Sequence, residues 1–203
     1  STSRRQRQMC IRDSGNTLGY EDGVSYGIIS STEYQQKFRD GECGVIGTDI
    51  SGSDGATGIL FNMDGEVIGM ISDDIWEDKG DHTVNAYAIS DLKSRIQLMA
   101  NGGSVPYIGI YGTTVTGELQ QNEGMPSGLY VIEVDPDSPA MAAGIQSGDI
   151  IWQVSGESVS SMSSYEKAVL EEKSDAVIRV KGKRKGADGY VDLDFTVNVG
   201  DKK

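Results

Sequence analysis

The sequence predicts a mostly β chain in two parts, a β-rich first half followed by an α+β second half. Three observations lead there. Apolar runs between residues 24 and 90 are short enough for strands, a helical pattern over 90–99 runs into Asn101-Gly102-Gly103, and beyond that point strand-sized and helix-sized patterns alternate.

In the first half the strand candidates are VSYGIIS (24–30), CGVIGTDI (43–50), GILFN (58–62), EVIGMIS (66–72) and NAYAIS (85–90). Between two of them, NMDGE carries the Asp64-Gly65 pair expected of a tight hairpin turn. Leu92, Ile96 and Met99 then recur at helical spacing, and the Asn-Gly-Gly that follows supplies stop and linker chemistry. The boundary therefore falls at 101–104, with the first part ending near 101 and the second spanning 104–203.

The second half predicts strands at 128–134, 148–154, 176–182 and 190–199, a short helix at 138–144 and a longer one over 163–172. In the last strand Val191, Leu193, Phe195, Val197 and Val199 alternate with Asp192 and Asp194, the period-two pattern of a half-buried strand. Ser138-Pro139 has the cap and first-turn chemistry of a helix that Gly144 ends, and Gly148-Asp149 turns the chain into the next strand.

Arg4 to Ser14, RRQRQMCIRDS, stands apart from this pattern. It holds four arginines and a single acid, Asp13, in a chain of net charge −13. Read back through the genetic code, it matches a transposon-derived adapter used in short-read sequencing, so residues 1–14 are expected to be non-native and the gene's own sequence to begin near Gly15. Taking those four arginines and one aspartate away leaves −16, too acidic for a nucleic-acid or anionic-lipid surface. Cys43 is then the one cysteine and His82 the one histidine, which excludes an internal disulfide and a four-ligand zinc site. No apolar run approaches the roughly 20 residues of a membrane span.

From Leu129 onward, LYVIEVDPDSPAMAAGIQSGDIIWQVSGESVSS resembles the PDZ domain appended to HtrA/DegP-type serine proteases. Upstream, GNTLGYEDGVSYGIIS, GTDI, LFNMDGEVIGMI and AYAIS resemble in order the second six-stranded β-barrel of the trypsin-like domain of that family. The implied architecture is that second barrel over 15–101 followed by an α+β PDZ domain over 104–203, a fragment that lacks the barrel where the family keeps its histidine and aspartate. The implied setting is the cell envelope, with membrane attachment only through a missing N-terminal anchor and homo-oligomers formed by the full-length protein.

Carried onto this chain, the family's nucleophile motif falls on Asp54-Gly55-Ala56-Thr57-Gly58. Ala56 takes the serine's place, and a methyl group has neither lone pair nor proton with which to form an acyl-enzyme. Asp54 and Gly55 stand in the oxyanion loop, where the carboxylate of Asp54 opposes a developing negative charge. The resemblance thus implies an inactive homologue, with no catalytic residue, no metal and no cofactor. Thr57 has a hydroxyl but no visible base, His82 reads as a loop histidine, Cys43 as a buried inert thiol, and Asp73, Asp74, Glu77, Asp78 and Asp81 lack the spacing of a calcium loop.

The PDZ part retains binding chemistry. PYIGIYG places Tyr107, Ile108, Gly109 and Ile110 where the family has its carboxylate-binding loop, and the helix over 163–172 offers Tyr165 and Val169 either to an apolar pocket or to the core. Three functions remain open: an inactive homologue binding peptide C-termini or unfolded proteins, an active serine endopeptidase of protein quality control, and a structural adaptor whose PDZ domain binds nothing. A deep empty groove beside Tyr107–Ile110 argues against the third, and a groove filled by the chain's own tail argues for it.

Overall fold

The computed structural model describes residues 10–16, 23–75 and 83–202. These form two compact units, one of Ser1–Gln36 with Cys43–Lys93 and one of Lys37–Glu42 with Ser94–Lys203. The chain is mostly β, with helices concentrated in its second half.

The first unit is built on a closed barrel. Strands β1 (Cys10–Asn16), β2 (Gly23–Phe38), β3 (Gly41–Ser51), β4 (Thr57–Phe61), β5 (Val67–Ile71) and β6 (Thr83–Ala88) join in the order β1-β2-β3-β6-β5-β4. Closure is made by β1, antiparallel to both β2 and β4, so Cys10–Ser14, set aside above as non-native, lie in the closing strand. Backbone pairing asks only for N–H and C=O groups, which any non-proline sequence supplies. Ile46, Ile50, Leu60, Ile71, Val84 and Ala86 bury the interior. The β4–β5 hairpin turns at the expected Asp-Gly, where Asn62 N–H donates to the Glu66 carbonyl at 2.9 Å. Helix α1 (Ile89–Ala100) follows and ends as its sequence requires, with Gly103 N–H donating to the Leu98 carbonyl at 3.0 Å.

The second unit holds β7 (Val105–Tyr107), β8 (Ile110–Thr114), α2 (Gly117–Glu123), β9 (Leu129–Val134), α3 (Pro139–Ala142), β10 (Ile150–Val154), β11 (Glu157–Ser158), α4 (Met162–Leu170), β12 (Val177–Gly186), β13 (Gly189–Asn198) and β14 (Gly200–Lys202). Its main sheet runs β13-β12-β10-β9-β8, with β11 beside β10, so β8 is an edge strand. The alternation in β13 holds for its second half: Phe195 and Val197 are buried, as is Val199 just beyond, whereas Val191 is exposed. The β12–β13 hairpin outruns the core there, and its paired residues Arg184 and Val191 lie past the packed face.

Local chemistry explains how α3 and the loop after it are placed. Ser138 Oγ accepts the Met141 N–H at 3.2 Å, and Pro139 occupies the first turn. Asp149 is fully buried, accepts the Gln146 N–H at 2.9 Å, and takes both ends of the Arg184 fork at 2.6 and 2.8 Å. Hydrogen bonding to Asp149 raises the Arg184 pKa, against a smaller lowering by desolvation. This bidentate pair ties the α3–β10 loop to β12. Helix α2, absent from the sequence reading, is capped by Thr116 and stopped by Gly124 at φ 64°.

Candidate functional site

Residues 107–110 form a loop between β7 and the edge strand β8, and the three N–H groups of Ile108, Gly109 and Ile110 converge on one point. Gly109 has φ 94°, a conformation that L side chains rarely adopt, and an added Cβ would stand 2.4 Å from that of Ser138. Only glycine lets the loop turn its amides inward here. Such consecutive N–H groups make an anion nest.

A carboxylate occupies that nest, and it belongs to Asp40. Its Oδ2 accepts the N–H of Ile108 at 2.8 Å and of Gly109 at 2.7 Å, and its Oδ1 accepts the N–H of Ile110 at 3.0 Å and the Tyr165 hydroxyl at 2.8 Å. Asp40 also gives its own N–H to the Ile110 carbonyl at 2.8 Å. One residue thus pairs with the edge strand through its backbone and fills the nest with its carboxylate. Asp40 is 4% exposed, and Tyr165 is fully buried.

The rest of the turn 37–42 is fastened on both sides of Asp40. Lys37 Nζ donates to Thr113 Oγ1 at 2.8 Å, and Arg39 bonds Asp135 at 2.5 Å and Glu133 at 3.2 Å while lying 5.1 Å from the Tyr111 ring centre. Arg95 donates to the Asp40 carbonyl at 3.0 Å and to Glu166 at 2.9 Å, and Glu166 accepts the Glu42 N–H at 3.1 Å. Gly41 lies close under this pair, since a Cβ there would stand 2.1 Å from the Arg95 guanidinium and push the Arg95 and Glu166 side-chain ends aside. Asp40 sits at φ 55°, a left-handed conformation that aspartate tolerates better than most residues.

Burial, then the charge of Asp40 and its hydrogen bond, push the Tyr165 pKa well above the usual phenol range. Desolvation and a 2.7 Å hydrogen bond to Asp135 raise that of Tyr107 to about 12. Both phenols are therefore held protonated as donors.

Of the residues singled out in the sequence, Ile108, Gly109, Ile110 and Tyr165 all bond the Asp40 carboxylate, and Tyr107 flanks them through Asp135. Val169 is 1% exposed in the core with Ile108 and Tyr165 and has no part in the polar network. Asp40, Arg39, Asp135, Arg95 and Glu166 were missed. The one signal for them was the Asp-Gly pair in RDGE, which announces a turn without saying what the turn will touch.

At the position matched to the nucleophile, Ala56 is buried at 6% exposure among Ile46, Ile50 and Leu60. Ser53 to Ala56 make a tight turn with Gly55 at φ 79°, closed by Ala56 N–H on the Ser53 carbonyl at 3.1 Å. That N–H is one of the two donors an oxyanion hole would need, and it is already spent. Asp54 and Thr57 are exposed. Cys43 is buried, with its Sγ donating to the Ala88 carbonyl at 3.6 Å, and Asp74 accepts from Ser72 and, at 3.2 Å, from Tyr87. His82, Glu77, Asp78 and Asp81 lie outside the described residues.

A family model described as PDZ domain matches residues 106–197. A protein of Halomonas elongata named "Probable periplasmic serine endoprotease DegP-like" is 32% identical over 194 residues, covering 92% of this chain and 40% of that protein. Serine protease HTRA3 of Mus musculus is 33% identical over 183 residues, covering 79% of this chain and 38% of its own length. Residues 106–197 thus match a PDZ domain, and the chain over most of its length is similar to HtrA-type serine proteases. Its fold is matched by the HtrA-type protease AlgW solved with a decapeptide, at a TM-score of 0.61 and 22% identity, over 97% of this chain and 61% of that one. The serine endoprotease from Yersinia pestis matches at a TM-score of 0.58 and 25% identity, over 96% and 62%. The chain spans about two fifths of the length of the curated relatives it matches.

Proposed function

We propose that this HtrA-like chain is a non-proteolytic, extracytoplasmic binding protein whose PDZ domain takes the free C-termini of client or partner proteins. The observation that carries the reading is the convergence of four donors, three backbone N–H groups and the Tyr165 hydroxyl, on a single carboxylate. A terminal carboxylate presents the same two oxygens, and β8 as an edge strand offers the backbone for the preceding residues of a peptide. The periplasmic name of the Halomonas elongata relative supports the location. Ala56, with its N–H closed onto Ser53, supports the absence of acyl transfer at that position.

A second reading, the adaptor that binds no peptide, is favoured by the presence of the chain's own Asp40 in the nest. Titrating labelled peptides with apolar C-terminal residues into the full chain separates the two. The binding reading expects affinity of micromolar order, about −8 kcal/mol or weaker, weakened when the peptide terminus is amidated and weakened likewise by Gly109→Val. His82→Ala is expected to change nothing. Equal affinity for free and amidated termini contradicts the carboxylate assignment, and an absence of binding that persists when Asp40 is replaced supports the adaptor.

A further inference from the structure

Asp40 does in the nest what the last residue of a peptide would do. It offers its N–H to the Ile110 carbonyl and its carboxylate to the N–H groups of Ile108, Gly109 and Ile110, with the Tyr165 hydroxyl as a fourth donor. No donor of the nest is left for a second anion, because each of the three amides is aimed at an Asp40 oxygen within 3.0 Å. The two occupants therefore exclude each other.

From this we infer that Asp40 is a built-in ligand of the PDZ domain, a latch that a C-terminal peptide must displace before it can bind. The inference rests on the carboxylate reading of the nest proposed above. The latch is held by more than its own carboxylate. Arg39 on Asp135 and Glu133, Lys37 on Thr113, and Arg95 on the Asp40 carbonyl all restrain the turn, yet none of these three cations touches a donor of the nest. Retention and occupancy are thus separable by mutation. A ligand carried on the same chain acts at an effective concentration of millimolar order when its tether is short, so a dilute peptide of micromolar intrinsic affinity has to compete with it for every donor. The apparent dissociation constant for that peptide is the intrinsic one divided by the fraction of chains in which the turn has left.

The test uses the full chain and a fluorescein-labelled peptide ending in Val-Leu, as the free acid and as the amide, followed by fluorescence anisotropy. Asp40→Ala is expected to bind the free acid about tenfold or more tightly than the unmodified chain, with the amide bound weakly by both. Arg39→Ala, which loosens the turn and leaves all four donors in place, is expected to gain affinity in the same direction by a smaller factor. It carries the test if Asp40→Ala does not fold. Equal, carboxylate-dependent binding by the unmodified chain and both variants overturns the latch and leaves the carboxylate reading standing. Failure of all three folded chains to bind the free acid overturns the carboxylate reading, and the latch with it.

Discussion

The Tyr165 hydroxyl meets the Asp40 carboxylate at 2.8 Å, joining two residues 125 positions apart in sequence. Both are buried, and the tyrosine is also part of the apolar core that includes Ile108 and Val169. The anion site and the core of the second unit therefore share a side chain, and a change to one should register in the other.

Tyr165→Phe keeps the ring and removes the hydroxyl. Loss of a buried hydrogen bond to a charged group is expected to cost about 1.5–3 kcal/mol, read as a lower urea midpoint at unchanged slope. Combined with Asp40→Ala, the two losses should fall short of their sum, since either variant removes the same bond. Full additivity would mean that the bond contributes nothing.

Alkaline stability should report the same phenols. The folded pKa of Tyr107 is raised to about 12 and that of Tyr165 is raised well above the usual value, desolvation being the main cause of each. Below the ordinary tyrosine pKa of about 10, both phenols are protonated in the folded and unfolded chain, and stability is undiminished. As pH rises beyond that value the unfolded chain gives up protons that the folded chain retains, so stability falls through pH 10 to 12. Melting temperatures measured from pH 8 to 12 should show this decline, and Tyr165→Phe should make it shallower.

Catalysis should not return with Ala56→Ser. The restored hydroxyl would sit in a buried position without a described base, beside an N–H already bonded to Ser53. Incubation with unfolded casein is expected to yield no cleavage by either the unmodified chain or the variant. Hydrolysis abolished by a serine-directed inhibitor would contradict the non-proteolytic reading.

Legibility in the sequence followed the range of the interactions. The Ser138-Pro139 cap, the Asp64-Gly65 turn and the α1 stop at Gly102-Gly103 were readable because each is settled within a few residues, and the structure places them as expected. The alternation in β13 gave the correct buried face for Phe195 and Val197 but overreached at Val191, because periodicity reports a strand's faces and not how far the core extends beneath it. The nest loop was recognisable from Tyr107 to Ile110 through the family resemblance and the glycine it requires. Its occupant was not. Asp40 reaches Ile108 across 68 positions, and RDGE is chemically an ordinary turn, so no local pattern distinguishes it from a solvent-exposed one. Val169 and Tyr165 illustrate the same limit: helical spacing put them on one side of α4, and only packing decided that both would lie in the core, with the Tyr165 hydroxyl reaching the nest.

Amide hydrogen exchange at Ile108, Gly109 and Ile110, measured residue by residue by NMR, tests the central claim that these groups form a carboxylate site. In the unmodified chain all three should be protected by Asp40. In Asp40→Ala they should exchange faster while the amides within β9 and β10 keep their protection, and a saturating free-acid peptide should restore protection where its amidated twin does not. Protection that is indifferent to both Asp40→Ala and the peptide would contradict the claim, since the three amides would then owe it to something other than a bound carboxylate.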